Sequence, residues 1–179
     1  MRLIVIIILS SIVNVSLAQK YASDKSMVTF YSHALLEDIT ATNSKSSSIF
    51  DLTHSLVVFS IPIKDFQFEK RLMQEHFNEK YMETDKHPRA IFQGKFADFN
   101  IQTKGVQQVK AHGKMTIHGV TREMDAVGSV ENQGDIIVMK SKFIIVLEDY
   151  MVSRPQLLWQ NIAEKVEVTI EFTYKAKAM

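Results

Sequence analysis

Between Val166 and Tyr174 the chain alternates without interruption. Val166, Val168, Ile170, Phe172 and Tyr174 are apolar or aromatic, while Glu167, Thr169, Glu171 and Thr173 are polar. Successive side chains of a strand point to opposite faces, so a period of two means a strand with one dry face and one wet face. Such a strand belongs to an antiparallel sheet with its core on one side only. Other stretches repeat the pattern. Val28-Thr29-Phe30 begins a first strand, and Val57, Phe59 and Ile61 share a face of a third or fourth. Over residues 136–147, Ile137, Met139, Ser141, Phe143, Ile145 and Leu147 fall on one side, with Lys140, Lys142 and Glu148 on the other.

Turn signals separate these runs. Asn43 to Ser48 reads as a polar loop, His118-Gly119 as a tight hairpin turn, and Asn132 to Asp135 as the next turn. Strands at this spacing predict a barrel or a sandwich. One segment departs from alternation. Over about residues 67–82, Leu72, Met73, His76, Phe77 and Tyr81 recur at three- and four-residue steps among good helix formers. That spacing predicts one amphipathic helix. A loop follows at Asp85 to Pro88, because the residue before a proline avoids helical geometry. Met73, Phe77, Tyr81 and Met82 would either pack on the core or form a flexible apolar lid over a cavity.

The N-terminus follows a separate logic. Arg2 precedes the apolar run Leu3 to Leu9, which Ile12 and Val13 extend and Ser16-Leu17-Ala18 closes. A charged start, an apolar middle and a small-residue exit describe a secretory signal peptide cleaved near Ala18-Gln19. The run is shorter than the roughly 20 apolar residues that a membrane span needs. Residues 1–18 are therefore expected to be the signal peptide and 19–179 a single domain, periplasmic or secreted. Losing Arg2 takes the formal charge from +1 to zero, which removes the electrostatic case for nucleic acid. The chain has no cysteine, so an exported domain must hold together without disulfides, and thiol chemistry is excluded.

Reactive groups are sparse. His112 and His118, taken as two positions on one strand, would stand roughly 20 Å apart, too far to share an ion. There is no HExxH, no nucleophile elbow and no phosphate-cradling glycine motif, and no reactive carboxylate–histidine cluster is expected. The expectation is a protein that is not an enzyme, with no catalytic residue, no metal ligand and no cofactor.

Several motifs then occur in a specific order. Gly113-Lys114-Met115-Thr116-Ile117-His118-Gly119-Val120-Thr121-Arg122 resembles the Gly-Val-Thr hairpin of the YceI family. His76-Phe77-Asn78-Glu79-Lys80-Tyr81-Met82, followed by Lys86-His87-Pro88-Arg89-Ala90-Ile91-Phe92, is similar to that family's helix-to-strand segment. Glu148-Asp149-Tyr150-Met151 resembles its later acidic-aromatic element, although Met151 stands where the family usually has glycine. The resemblance implies an all-β fold: a single antiparallel, eight-stranded, extended lipocalin-like barrel with a helix at its wall or mouth. It also implies a long amphiphile, typically a polyisoprenoid, held in a hydrophobic tunnel.

On that architecture the lining would be Val28, Phe30, Val57, Phe59, Ile61, Phe92, Met115, Ile117, Ile137, Met139, Phe143, Ile145, Val168, Ile170 and Phe172, with Met73 and Phe77 from the helix. An eight-stranded barrel either fills itself or holds one small ligand. Small inward residues (Ser32, Ala90, Gly94, Ala111, Gly113, Ala126, Gly128 and Ser141) favour a cavity. At ~0.8 kcal/mol per buried methylene, two or three isoprene units would contribute roughly 8–12 kcal/mol before ordering costs. A lipid chain can thus bind without a charged clamp, and a phosphate head group would meet Lys86, Arg89 or Arg154 at the rim. The expected function is an exported protein that binds a polyisoprenoid or isoprenoid quinone for transport or storage. Its expected partner is that lipid, with no nucleic acid and no stable membrane insertion; a homodimer stays open. The alternative is a stress-related structural or interaction protein whose barrel is filled by its own side chains.

Overall fold

The structure, a computed structural model, describes residues 20–33, 38–153 and 163–175; the expected signal peptide and Arg154 lie outside them. Ten antiparallel strand segments are found among these residues: β1 (Lys20–Ser32), β2 (Ile39–Asn43), β3 (Ser47–Asp51), β4 (Leu56–Pro62), β5 (Gln67–Phe68), β6 (Arg89–Ala97), β7 (Gly105–Ile117), β8 (Val120–Asn132), β9 (Ile136–Val146) and β10 (Lys165–Lys175). They form one sheet in the order β10-β9-β8-β7-β6-β4-β3-β1-β2-β5, and pairing of β1 with β10 closes it.

Ten segments make eight staves. β2 and β3 run along the same edge of β1, with Val28–Ser32 opposite β2 and Lys20–Ala22 opposite β3. β4 pairs with β3 and β5 with β2. Each couple is one long strand broken once, at Ser44–Ser46 and at the tight turn Ile63–Asp65. Asn43, fully buried, holds both breaks. Its Nδ2 donates to the Pro62 carbonyl at 2.7 Å, while its Oδ1 accepts from Lys45 N at 2.8 Å and Ser46 Oγ at 3.1 Å. The closed antiparallel barrel of eight strands with one short helix is the architecture the sequence predicts, and the β1–β10 pairing leaves no terminal strand of the ring unpartnered.

Several local expectations change. β1 starts at Lys20 rather than Val28. Its first half is polar and largely exposed, so no hydrophobic pattern marks it; it is held by pairing with β3 and β10. Ser47 and Ser48 belong to β3, which shortens the predicted 43–48 loop to three residues. Residues 67–68 are strand, because Phe68 pairs opposite Ala41, and the helix α1 covers only Arg71–His76. A wider turn, Phe77–Tyr81, follows and closes with Met82 N donating to Phe77 O at 2.9 Å. His118 is not on a strand with His112. It occupies the first position of the β7–β8 turn with φ of 50°, ahead of Gly119 at 76°, the left-handed pair of a type I′ hairpin.

The inward glycines also play a different part. Gly113 faces Gly94 across β6 and β7, and a Cβ on Gly113 would lie 2.3 Å from the Gln93 carbonyl oxygen and 2.4 Å from Gly94 Cα. They let adjacent strands close tightly where the wall curves. They do not leave room for a ligand.

Candidate ligand cavity

The barrel is packed at one end and hollow at the other. At the packed end Phe50 and Tyr174 are fully buried, with Phe96 and Phe99 against Phe50 at ring separations of 4.7 and 5.4 Å. Tyr174 donates to or accepts from Ser48 Oγ at 2.6 Å, and burial pushes its phenol well above the usual tyrosine range. Phe59 stacks on Phe172 at 4.9 Å and on Phe92 at 5.8 Å. These three rings form a floor across the barrel.

Beyond the floor lies a cavity of about 430 Å³, within the size range of small-molecule sites. On one side the sheet parts. β8 and β9 pair only between Gly128–Asn132 and Ile137–Ser141, although each continues for several residues past that point. The turn Glu148–Tyr150 sits against β8 instead, with Arg122 Nε donating to the Asp149 carbonyl at 3.0 Å. Tyr150 is buried there, and Leu147 and Val152 face the cavity.

The helical segment covers another side. Leu72, Met73, His76, Phe77, Tyr81 and Met82 all border the cavity. Phe77 joins a cluster with Phe30, Phe66 and Phe68 at ring separations of 4.9 to 5.8 Å, which ties the helix to β1 and β5. α1 itself buries no residue and has no side-chain cap at its N-terminus, so the phenylalanine cluster carries most of its attachment.

Of the residues expected to line the interior, Val28, Phe30, Ile61, Met73, Phe77, Met115, Ile117, Phe143, Ile145 and Val168 border this cavity. Val57, Phe59, Phe92, Ile137, Met139, Ile170 and Phe172 are inward but do not. They lie in the floor or below it, where opposing side chains fill the space. Alternation identifies the inner face of a strand but says nothing of depth along it. Sequence reasoning missed Ile39 at the start of β2, Ile63 and Phe66 at the break between β4 and β5, Phe68 in β5, and Val152 after the Glu148–Tyr150 turn. Short apolar residues next to turns carry no periodic signal.

Polar groups at the cavity are few. Ser32 Oγ accepts from Ala163 N at 3.1 Å. Tyr81 also borders the cavity, and its phenol is raised by burial. The basic rim differs from expectation. Arg89 Nε donates to Ser60 Oγ at 2.7 Å and Lys86 pairs with Glu83, so neither addresses the cavity; Lys70 borders it. Among the described residues the lining presents no nucleophile hydrogen-bonded to a base, and no helix is long and apolar enough to cross a membrane.

A closed eight-stranded antiparallel wall around an apolar chamber, with a short helix over one side, defines a lipocalin-like barrel. Residues 20–174 match the YceI-like domain, and the chain belongs to that family. Three solved structures share the fold. A polyisoprenoid binding domain from Saccharophagus degradans implicated in plant cell wall breakdown is 16% identical, with a TM-score of 0.76 over 89% of this chain and 99% of its own. BcnA of Burkholderia cenocepacia is 15% identical, with a TM-score of 0.70 over 83% and 95%. The Campylobacter jejuni YCEI protein is 16% identical, with a TM-score of 0.65 over 81% and 89%. No sequence among the curated proteins matches the chain.

Proposed function

We propose that this protein binds a long-chain lipid, a polyisoprenoid or isoprenoid quinone, in the hollow half of its barrel and serves as an exported carrier or store. The observation that carries the reading is the cavity itself, about 430 Å³ with a lining that is almost wholly hydrophobic. Space of that kind favours an apolar chain, because each methylene moved out of water contributes ~0.8 kcal/mol. The sparse polar groups supply no clamp, so affinity comes from the tail and the head group sits at the rim, near Lys70. Kinship with the YceI-like domain and the fold shared with a polyisoprenoid binding domain support the same choice of ligand. Export is supported by the sequence of residues 1–18. A binding role is supported by the match to the YceI-like domain and by the fold shared with a polyisoprenoid binding domain.

The test is organic extraction and mass spectrometry of the protein purified from its native host. A stoichiometric polyprenyl or quinone species is expected. A lipid-free protein that also refuses added isoprenoids would end the carrier reading in favour of an interaction protein.

A further inference from the structure

We propose that Glu83, His87 and His118 form a binding site for a divalent transition-metal ion of the zinc type at the rim of the barrel. The three residues come from two loops, with Glu83 and His87 lying 35 and 31 positions before His118. One ligand atom from each lies within 4.8 Å of the other two. Among the described residues no other three histidine or carboxylate groups meet this way. His33, His54 and His112 each face a single aspartate.

The hydrogen bonding around His118 points to a cation. Its side chain is only 11% exposed. Nδ1 lies 3.3 Å from the Tyr150 carbonyl oxygen and Nε2 lies 3.2 Å from Glu83 Oε2. Both neighbours can only accept. A neutral imidazole has one N–H, so it satisfies one of them and turns a lone pair toward the other. With the proton on Nδ1 and donated to Tyr150, Nε2 offers its lone pair on the side of the carboxylate. Metal-bound histidines are held in this manner, with the distal N–H given to a backbone carbonyl.

The other two ligands are placed by one turn of chain. His87 N donates to the Glu83 carbonyl at 2.9 Å, which brings the two side chains to the same side. The His87 ring then meets His118 edge to face, centroids 4.5 Å apart. Gly119 makes this approach feasible, since a Cβ there would lie 2.8 Å from the His87 ring. Lys86 occupies the other Glu83 oxygen, Oε1.

Ligand distances near 2.0–2.2 Å put tetrahedral donor atoms about 3.4 Å apart. Glu83 and His118 stand near that spacing at 3.2 Å, and His87, within 4.8 Å of both, has at most a short distance to close. Two imidazoles and a carboxylate suit zinc and leave a fourth position open. An ion here ties the β7–β8 turn to the loop before β6. It stands directly behind the cavity, where Met82 and Ile117 precede Glu83 and His118 in the chain.

Calorimetric titration of zinc chloride into the purified, chelator-treated protein tests the site. One zinc per chain is expected, with a melting temperature that rises with zinc. Glu83→Gln and His87→Ala each weaken binding by roughly 100-fold or more, beyond the loss typical of an outer partner. His118→Asn does the same with a residue that tolerates left-handed backbone, and His112→Ala leaves binding unchanged. Absence of stoichiometric zinc, or zinc binding that survives these three substitutions, would overturn the proposal. So would finding His118 doubly protonated between Tyr150 and Glu83 with zinc in excess, since a proton would then fill the role of the ion.

Discussion

Phe59 and Phe172 stack with ring centroids 4.9 Å apart and planes 13° from parallel, and the hollow half of the barrel ends on this pair. Phe172 is fully buried and Phe59 nearly so. Truncating Phe172 to alanine should cost 3–5 kcal/mol of stability, as large-to-small core changes do. The same change deepens the chamber. Denaturant melts and a chain-length series of prenyl alcohols would show lower stability with a preference moved toward longer tails.

Filling the chamber should act in the opposite sense. Val168 lies on β10 at the cavity wall and is half-buried. Val168→Trp inserts a ring into space that is already empty, so stability should change by about 1 kcal/mol or less. Displacing two methylenes of ligand contact, at ~0.8 kcal/mol each, should weaken binding by roughly tenfold. A fluorescent-lipid displacement titration reads the effect.

Gly113 should tolerate no side chain. Its added Cβ meets backbone on the neighbouring strand rather than a movable side chain. Gly113→Ala is expected to lose about 3 kcal/mol, the upper part of the overpacking range, in a urea melt.

Tyr174 predicts an alkaline limb to the stability curve. Its folded pKa is raised above the ordinary value of 10.0 by burial. The resulting stabilisation is complete below pH 10 and is lost as pH rises from there through the folded value. Tyr174→Phe should flatten that limb. At neutral pH it should cost about 1 kcal/mol, because Ser48 Oγ loses its partner.

Met151 adopts φ of 54° and is 68% exposed. An L-residue in left-handed backbone costs roughly 1–2 kcal/mol. Met151→Gly should therefore raise stability by about 1 kcal/mol, after glycine's own entropy is subtracted, visible as a higher melting temperature.

What the sequence determined by itself is the inner face. The alternation of β10 places Val166, Ile170, Phe172 and Tyr174 in the interior, and the structure buries all four. His118-Gly119 and Asn132 to Asp135 are the turns that local backbone chemistry requires. Strand period and turn residues are local properties, so one-dimensional reading reaches them.

Tertiary structure alone decided where the barrel is hollow and what meets at its rim. Val28 and Phe172 carry the same alternation, yet Val28 borders the cavity and Phe172 belongs to the floor. The difference lies in their level along the paired strands, where Val28 stands opposite Ile170 and Phe172 opposite Ser26, and in what the other strands place at each level. The polar first half of β1 and Asn43 show the same limit. Their places depend on partners on other strands rather than on any pattern of their own. His118 reaches Glu83 and His87 only because chain closure brings one hairpin turn beside another loop. Residues that act through long-range proximity leave no periodic mark in sequence, because the spacing between them is set by the whole barrel.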